Sequence, residues 1–224
     1  MYEHRYLLDT GYFMLIFNLD SDKIECYNLI TDKIGGIHME EKSYHHGNLK
    51  NELIEKGLEY IDRYGVESLS MRKLAKAVGV SSAAPYAHFQ NKEAFLIAVW
   101  EYITDQFYNR LEETNHTCSD KDRILIDLGK CYVLFFYENP LYYHFLFTRT
   151  DIELSKYKPF ILFEDIATNY LNEHINIRRD TIRSRILALW SMVHGLAQLV
   201  TVKGVVDKEN LGDEVEKILS SVSF

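Results

Sequence analysis

The sequence predicts an all-α protein in which a helix-turn-helix module precedes a larger helical body. Two observations predict this. Beyond Asn48, apolar residues recur at intervals of three and four, and the 224-residue chain holds only three prolines. Signals for helix starts and stops punctuate that pattern: Ser70 and Asn91 are good caps, while Gly65 and Gly79 suit the left-handed residue that ends a helix.

The elements follow in order. Residues 1–38 differ from the rest. "YFMLIFN" and "KIECYNLI" flank the turn-prone "LDSD", which reads as a β-hairpin, and "DKIGGIHMEEK" follows as a linker. Met39 offers a second translation start, so 1–38 is either an N-terminal extension or an upstream stretch that is not expressed. In 48–64, Leu49, Leu53, Ile54, Leu58 and Ile61 share one helical face, and Gly65 stops it. Ser70 caps the next helix, with Leu69 and Leu74 placed as a hydrophobic staple, and Gly79 ends it. A third helix opens at Ser81 or Ser82 and ends near Phe89. Pro85 falls in its first turn, where the missing N–H has no intrahelical partner to lose. Asn91 then caps a long helix carrying Phe95, Ala98, Val99, Tyr102, Ile103, Phe107 and Leu111. "SDKD" from Ser119 reads as a capping-box variant before an apolar run that reaches Asn139, and Pro140 stops the run. Further helices are expected near 140–147, 159–174, 180–202 and 209–221.

Charge narrows the function. The formal net charge is −8, which argues against a protein that coats nucleic acid indiscriminately. The deficit is uneven: residues 1–38 hold three basic and six acidic side chains, residues 101–224 hold fourteen and nineteen, and residues 39–100 balance at eight and eight. A balanced module on an acidic body still binds DNA when its cations share one face. Cys26, Cys118 and Cys131 form no CxxC pair, so free thiols in a reducing cytoplasm are expected. "GYFMLIF" is too short to span a bilayer, so no membrane partner is implied. His45 and His46 have no further ligand nearby, so they read as a solvated arm. No metal site, cofactor site, phosphate loop or hydrolase motif is present, and no catalytic residue is assigned.

The two short helices joined at Gly79–Val80 form a helix-turn-helix. Ala75 allows close approach, and Leu74, Val78, Val80 and Phe89 supply the contacts. The small residues left outside suit a helix that enters a major groove. Ser81, Ser82, Ala83 and Ala84 are expected at base edges. Tyr86, His88 and Lys92 are expected on the phosphate backbone, with Arg72 and Lys73 adding contacts there. In the body, Trp190 and His194 lie four residues apart on one helical face. Ile186 and Ala197 continue that face, and Gly195 and Ala197 leave room. Tyr132, Phe136 and His144, from an aromatic run at 132–147, are expected to form the opposite wall of an effector site for an apolar or aromatic compound.

"SMRKLAKAVGVSSAAPYAHFQNKEAFL" resembles the DNA-binding signature of the TetR family of transcriptional regulators. Ser70, Ala75, Gly79, Val80, Ser81, Tyr86, His88, Phe89, Lys92 and Glu93 carry the likeness. "LWSMVHGLAQL" resembles the Trp-x-x-x-His-Gly element of one C-terminal subgroup, at Trp190, His194 and Gly195. The 38-residue extension departs from the family pattern. The resemblance implies a DNA-binding domain over 39–95 and an effector-binding, dimerising domain over 96–224. It implies a homodimer held by the last two helices through Leu189, Leu196, Leu199, Val215, Ile218 and Leu219. It also implies a cytoplasmic repressor released from a palindromic DNA operator by a small-molecule effector. The alternative is a helical small-molecule-binding protein or enzyme with an incidental helix-turn-helix.

Overall fold

The computed structural model describes residues 49–147, 153–174, 179–202 and 204–222. The expected hairpin in 1–38 and the histidine pair at 45–46 lie outside them. The described residues form eight α-helices and four short 3₁₀ turns, with no strand among them.

Helix α1, Leu49–Tyr64, turns Leu53, Ile54 and Leu58 inward, and Gly65 ends it at φ 78°. Helix α2, Met71–Val78, starts where the Ser70 hydroxyl accepts the Lys73 N–H at 3.3 Å. Its end is a Schellman motif. Gly79 sits at φ 80°, Val80 N–H donates to Ala75 O at 3.0 Å and Gly79 N–H donates to Lys76 O at 3.3 Å. That left-handed residue sets the angle at which the chain leaves α2.

The third helix of the sequence reading is a 3₁₀ turn, Ala84–Ala87. Pro85 has no N–H for the Ser81 carbonyl, so the run closes through three-residue bonds, Ala84 to Ser81 at 3.0 Å and Tyr86 to Ala83 at 3.1 Å. Pro85 is the second residue of the turn and is buried.

Helix α3, Lys92–Thr117, is capped by Asn91, whose Oδ1 accepts the Ala94 N–H at 2.8 Å. It runs through the place, between 95 and 96, where the sequence expects module to give way to body. Its first turns pack on α1 and later ones on α4, Ile124–Glu138, and α6, Lys158–His174. The capping box expected at Ser119 is replaced by Asp120, which accepts the Asp122 N–H at 3.1 Å and opens a 3₁₀ turn, Lys121–Arg123. A carboxylate two residues ahead of its donor makes a local Asx turn, so α4 begins only at Ile124.

Helix α4 is the centre of the body. It packs against α3, α5 (Pro140–Phe147), α7 (Arg179–Leu199) and α8 (Leu211–Ser220). Gly129 permits this: a Cβ there would lie 3.1 Å from Leu219 and 3.2 Å from Val193. Glu216 of α8 accepts bonds from Lys130 and Arg123, and those two cations hold its carboxyl down at about 2. Helix α7 stops at Leu199, short of the expected 202, because the chain turns back through Val202 N–H to Leu199 O at 2.9 Å.

Candidate functional site

The recognition turn has two faces. Pro85 and Phe89 point inward, and Phe89 meets Phe95 edge-on with ring centroids 5.1 Å apart. Phe95 reaches that place because position 57 is glycine: a Cβ on Gly57 would sit 2.2 Å from Phe95 Cζ. On the outer face Ser81, Ser82, Ala83, Tyr86 and His88 are exposed, and Ala84 and Lys92 are half-buried. From Ser70 through Lys92 the chain carries Arg72, Lys73, Lys76 and Lys92 and no acidic residue. A patch of one sign on an otherwise acidic protein gives a local attraction for phosphate.

The structure divides the two predicted cations of α2. Arg72 is exposed, but Lys73 Nζ donates to the Ser68 carbonyl at 2.7 Å and lies 5.9 Å from the Tyr60 ring centroid. Lys73 thus braces the α1–α2 loop while its side chain stays on the exposed side of α2. Lys76, outside the expected set, is exposed one turn beyond Arg72 on the same face. Its four-residue spacing from Arg72 was the available signal.

In the body, four of the five residues expected at the effector site meet. Tyr132, which is 1% exposed, places Oη 2.9 Å from His194 Nδ1, and Trp190 stands edge-on to Tyr132 at 5.1 Å. Phe136 packs at 5.0 Å from Tyr132. The fifth, His144, is exposed and lines a separate crevice of about 220 Å³ with Leu58, Ile61, Asp62 and Leu96. Its neighbour Tyr143 takes the expected place, with Oη 3.2 Å from His194 Nε2 and 3.4 Å from the His194 carbonyl. One residue is 100° of helix rotation, so Tyr143 and not His144 faces His194.

One arrangement of protons satisfies all three contacts. The Tyr143 hydroxyl donates to the His194 carbonyl and accepts Nε2–H, which leaves Nδ1 to accept from Tyr132. Burial lowers the His194 pKa, raises that of Tyr132 and pushes Tyr143 up to about 12, so the cluster is neutral near pH 7. One imidazole therefore ties α4, α5 and α7 together. Phe147 closes it edge-on at 4.5 Å. Gly195 does not open space beside the cluster: it is exposed, and an added Cβ meets nothing within 4 Å.

The expected association surface is also redistributed. Leu196, Val215 and Leu219 are buried within the protomer, because α8 turns its apolar stripe onto α4. Leu189 and Ile218 are half-buried, while Leu199 remains 48% exposed and Leu187 38%. Among the described residues, no helix is long and apolar enough to cross a membrane, and no cluster of metal-binding side chains forms.

The chain is similar to known proteins in sequence and in fold. Residues 53–99 match the sequence pattern of bacterial regulatory proteins of the tetR family, and residues 125–221 match that of the tetracyclin repressor-like C-terminal domain. The class G tetracycline repressor of Vibrio anguillarum is 42% identical over 67 residues, 30% of this chain. The match spans about a third of that relative, 32% of its length. The fatty acid metabolism regulator of Bacillus subtilis is 25% identical over 134 residues, covering 59% of this chain and 68% of that one. The crystal structure of AibR in complex with isovaleryl coenzyme A and operator DNA superimposes with a TM-score of 0.57 at 19% identity. It covers 75% of this chain and 96% of that one, a likeness of fold.

Proposed function

Because the chain belongs to the tetR family of bacterial regulatory proteins, we propose that it is a cytoplasmic, homodimeric transcriptional repressor, released from a palindromic operator by a small apolar effector. The acid-free stretch from Ser70 to Lys92 on the outer face of the helix-turn-helix carries the DNA-binding half of this reading. Ser81, Ser82, Ala83 and Ala84 read base edges. Tyr86, His88, Lys92, Arg72 and Lys73 hold phosphate, with Lys76 beside Arg72. Two copies join through α7 and α8, where Leu187 and Leu199 are exposed, and this sets two recognition turns about 34–36 Å apart.

The effector acts at Tyr132, Phe136, Trp190 and His194. Release requires that it favour an arrangement of the recognition turns that misses the operator, since only differential affinity shifts a population. Helix α5 supplies the link. Tyr143 meets His194, while His144 and Phe145 line the crevice shared with Leu58 and Ile61 of α1. A shift of α5 by ligand is thereby felt at α1, on which α2 packs. That AibR has been crystallised with both an acyl thioester and operator DNA supports a regulator of this fold taking both partners.

Selection of bound duplexes from a random DNA library tests the reading. A recovered palindrome, bound by two chains and lost at raised salt, is expected. Retention of duplexes with no common sequence would instead favour a helical carrier whose helix-turn-helix is incidental.

A further inference from the structure

Two buried hydroxyls in the body have no protein partner: Thr104 Oγ1, on a residue 2% exposed, and Tyr157 Oη, on one 1% exposed. Both depart from their neighbours' behaviour. Elsewhere on α3, Thr114 and Thr117 each donate to the carbonyl four residues back at 2.8 Å, the ordinary recourse of a helical threonine. Thr104 makes no such bond. Tyr132, equally buried, finds His194, whereas Tyr157 finds nothing. Buried polar atoms in folded proteins are nearly always paired, so two orphans in one region call for a partner.

Tyr157 belongs to a chain of aromatic contacts that begins and ends on α3. Trp100 lies 5.9 Å from Tyr157, Tyr157 6.4 Å from Trp190, Trp190 5.1 Å from Tyr132 and Tyr132 5.1 Å from Phe107. Trp100 and Phe107 are both on α3, four residues before Thr104 and three after it, so Thr104 lies on the face of α3 that carries them. None of these residues carries a formal charge. Burial raises the Tyr157 pKa. An anion or a cation brought among them would be buried without a counter-charge.

We propose that Thr104 and Tyr157 are the polar end of the effector site, and that the effector is an uncharged, mainly apolar molecule bearing a carbonyl oxygen, such as an ester or ketone. The carbonyl accepts from the two hydroxyls while the rings enclose the apolar remainder. A free carboxylic acid or an amine of the same shape is rejected, because neither finds an opposite charge. This inference rests on the reading that the body binds an effector, and it adds the chemical class and two residues outside the His194 cluster.

Ethyl 3-phenylpropanoate, 3-phenylpropanoate and 3-phenylpropylamine provide a matched neutral, anionic and cationic set. Each is titrated into the full chain and into Thr104→Val and Tyr157→Phe, with thermal unfolding as the readout. The ester is expected to raise the melting temperature of the wild-type chain and the two ions to leave it unchanged. Each variant should weaken ester binding by about tenfold, the loss of one hydrogen bond. Without ligand, both variants should melt at or above the wild-type temperature, since each removes a polar atom that has no partner. The proposal is overturned if none of the three binds, if an ion binds as tightly as the ester, or if the variants bind the ester unchanged. A ligand-free fall in melting temperature also overturns it, because the hydroxyls would then serve internal water or structure. Anisotropy of a labelled selected duplex in the same samples separates the two readings. Ester binding without DNA release sinks the effector mechanism alone, and release by a charged compound in both variants sinks this inference alone.

Discussion

Replacing His194 by Phe tests whether the imidazole is a structural tie between three helices. The substitution keeps a ring of similar size against Phe147 and Tyr143, whose centroids lie 4.5 and 5.3 Å away, so packing is largely retained. What is lost is the acceptor for Tyr132 Oη, on a residue 1% exposed. Leaving a buried hydroxyl unpaired costs about 1–3 kcal/mol. Tyr143 retains the residue-194 carbonyl at 3.4 Å and adds little to the loss. A net destabilisation of about 2 kcal/mol follows, or a fall of about 4–8 °C in melting temperature for a chain of this size. Tyr132→Phe in the same background removes the orphaned hydroxyl and should recover about half of that loss or more. Thermal unfolding followed by far-UV circular dichroism reads all four proteins of the cycle. The pH dependence is a second readout. Burial holds the folded His194 pKa below its unfolded value of about 6.5, so the unfolded chain takes the proton first. The stability that the neutral imidazole contributes is thus complete above that pH and is lost as pH falls below it, a slope absent from His194→Phe. A double variant that melts below His194→Phe, with no coupling between the sites, would refute the reasoning.

Two further perturbations address the DNA-binding half. Gly57→Ala places a Cβ 2.2 Å from Phe95 Cζ, in a ring that is 0% exposed and supports Phe89. The overpacking, about 1–3 kcal/mol, should exceed the gain in helix propensity of about 1 kcal/mol, lowering both melting temperature and operator affinity; a higher melting temperature would show that Phe95 has room to move. Lys92→Ala should weaken binding to all duplexes alike and make the salt dependence shallower by about one unit. An altered sequence preference with an unchanged salt slope would mean that Lys92 is not a phosphate contact.

The sequence by itself determined the elements and the recognition turn. Ser70, Gly79 and Asn91 bound their helices because caps act through bonds to atoms three to five residues away, and such signals survive in any tertiary setting. The run without acidic residues from Ser70 to Lys92 is equally legible, since a short helix-turn-helix brings sequence neighbours into one surface. Even the shortening of the third helix to a 3₁₀ turn follows from Pro85, which has no N–H to bond the Ser81 carbonyl. Tertiary structure decided the rest. His194 meets Tyr132 and Tyr143 across 62 and 51 residues, and whether Tyr143 or His144 faces it depends on the rotation of α5, which periodicity leaves open by one residue. Lys73 and Lys76 look alike in sequence, and only the position of the Ser68 carbonyl and the Tyr60 ring makes one of them a brace. The apolar stripe of α8 could cover its own body or a second copy; the gap left by Gly129 on α4 turns Leu219 inward. Nor does composition reveal that Thr104 and Tyr157 lack partners, because a hydroxyl is satisfied or orphaned by where other helices end up, not by its own sequence.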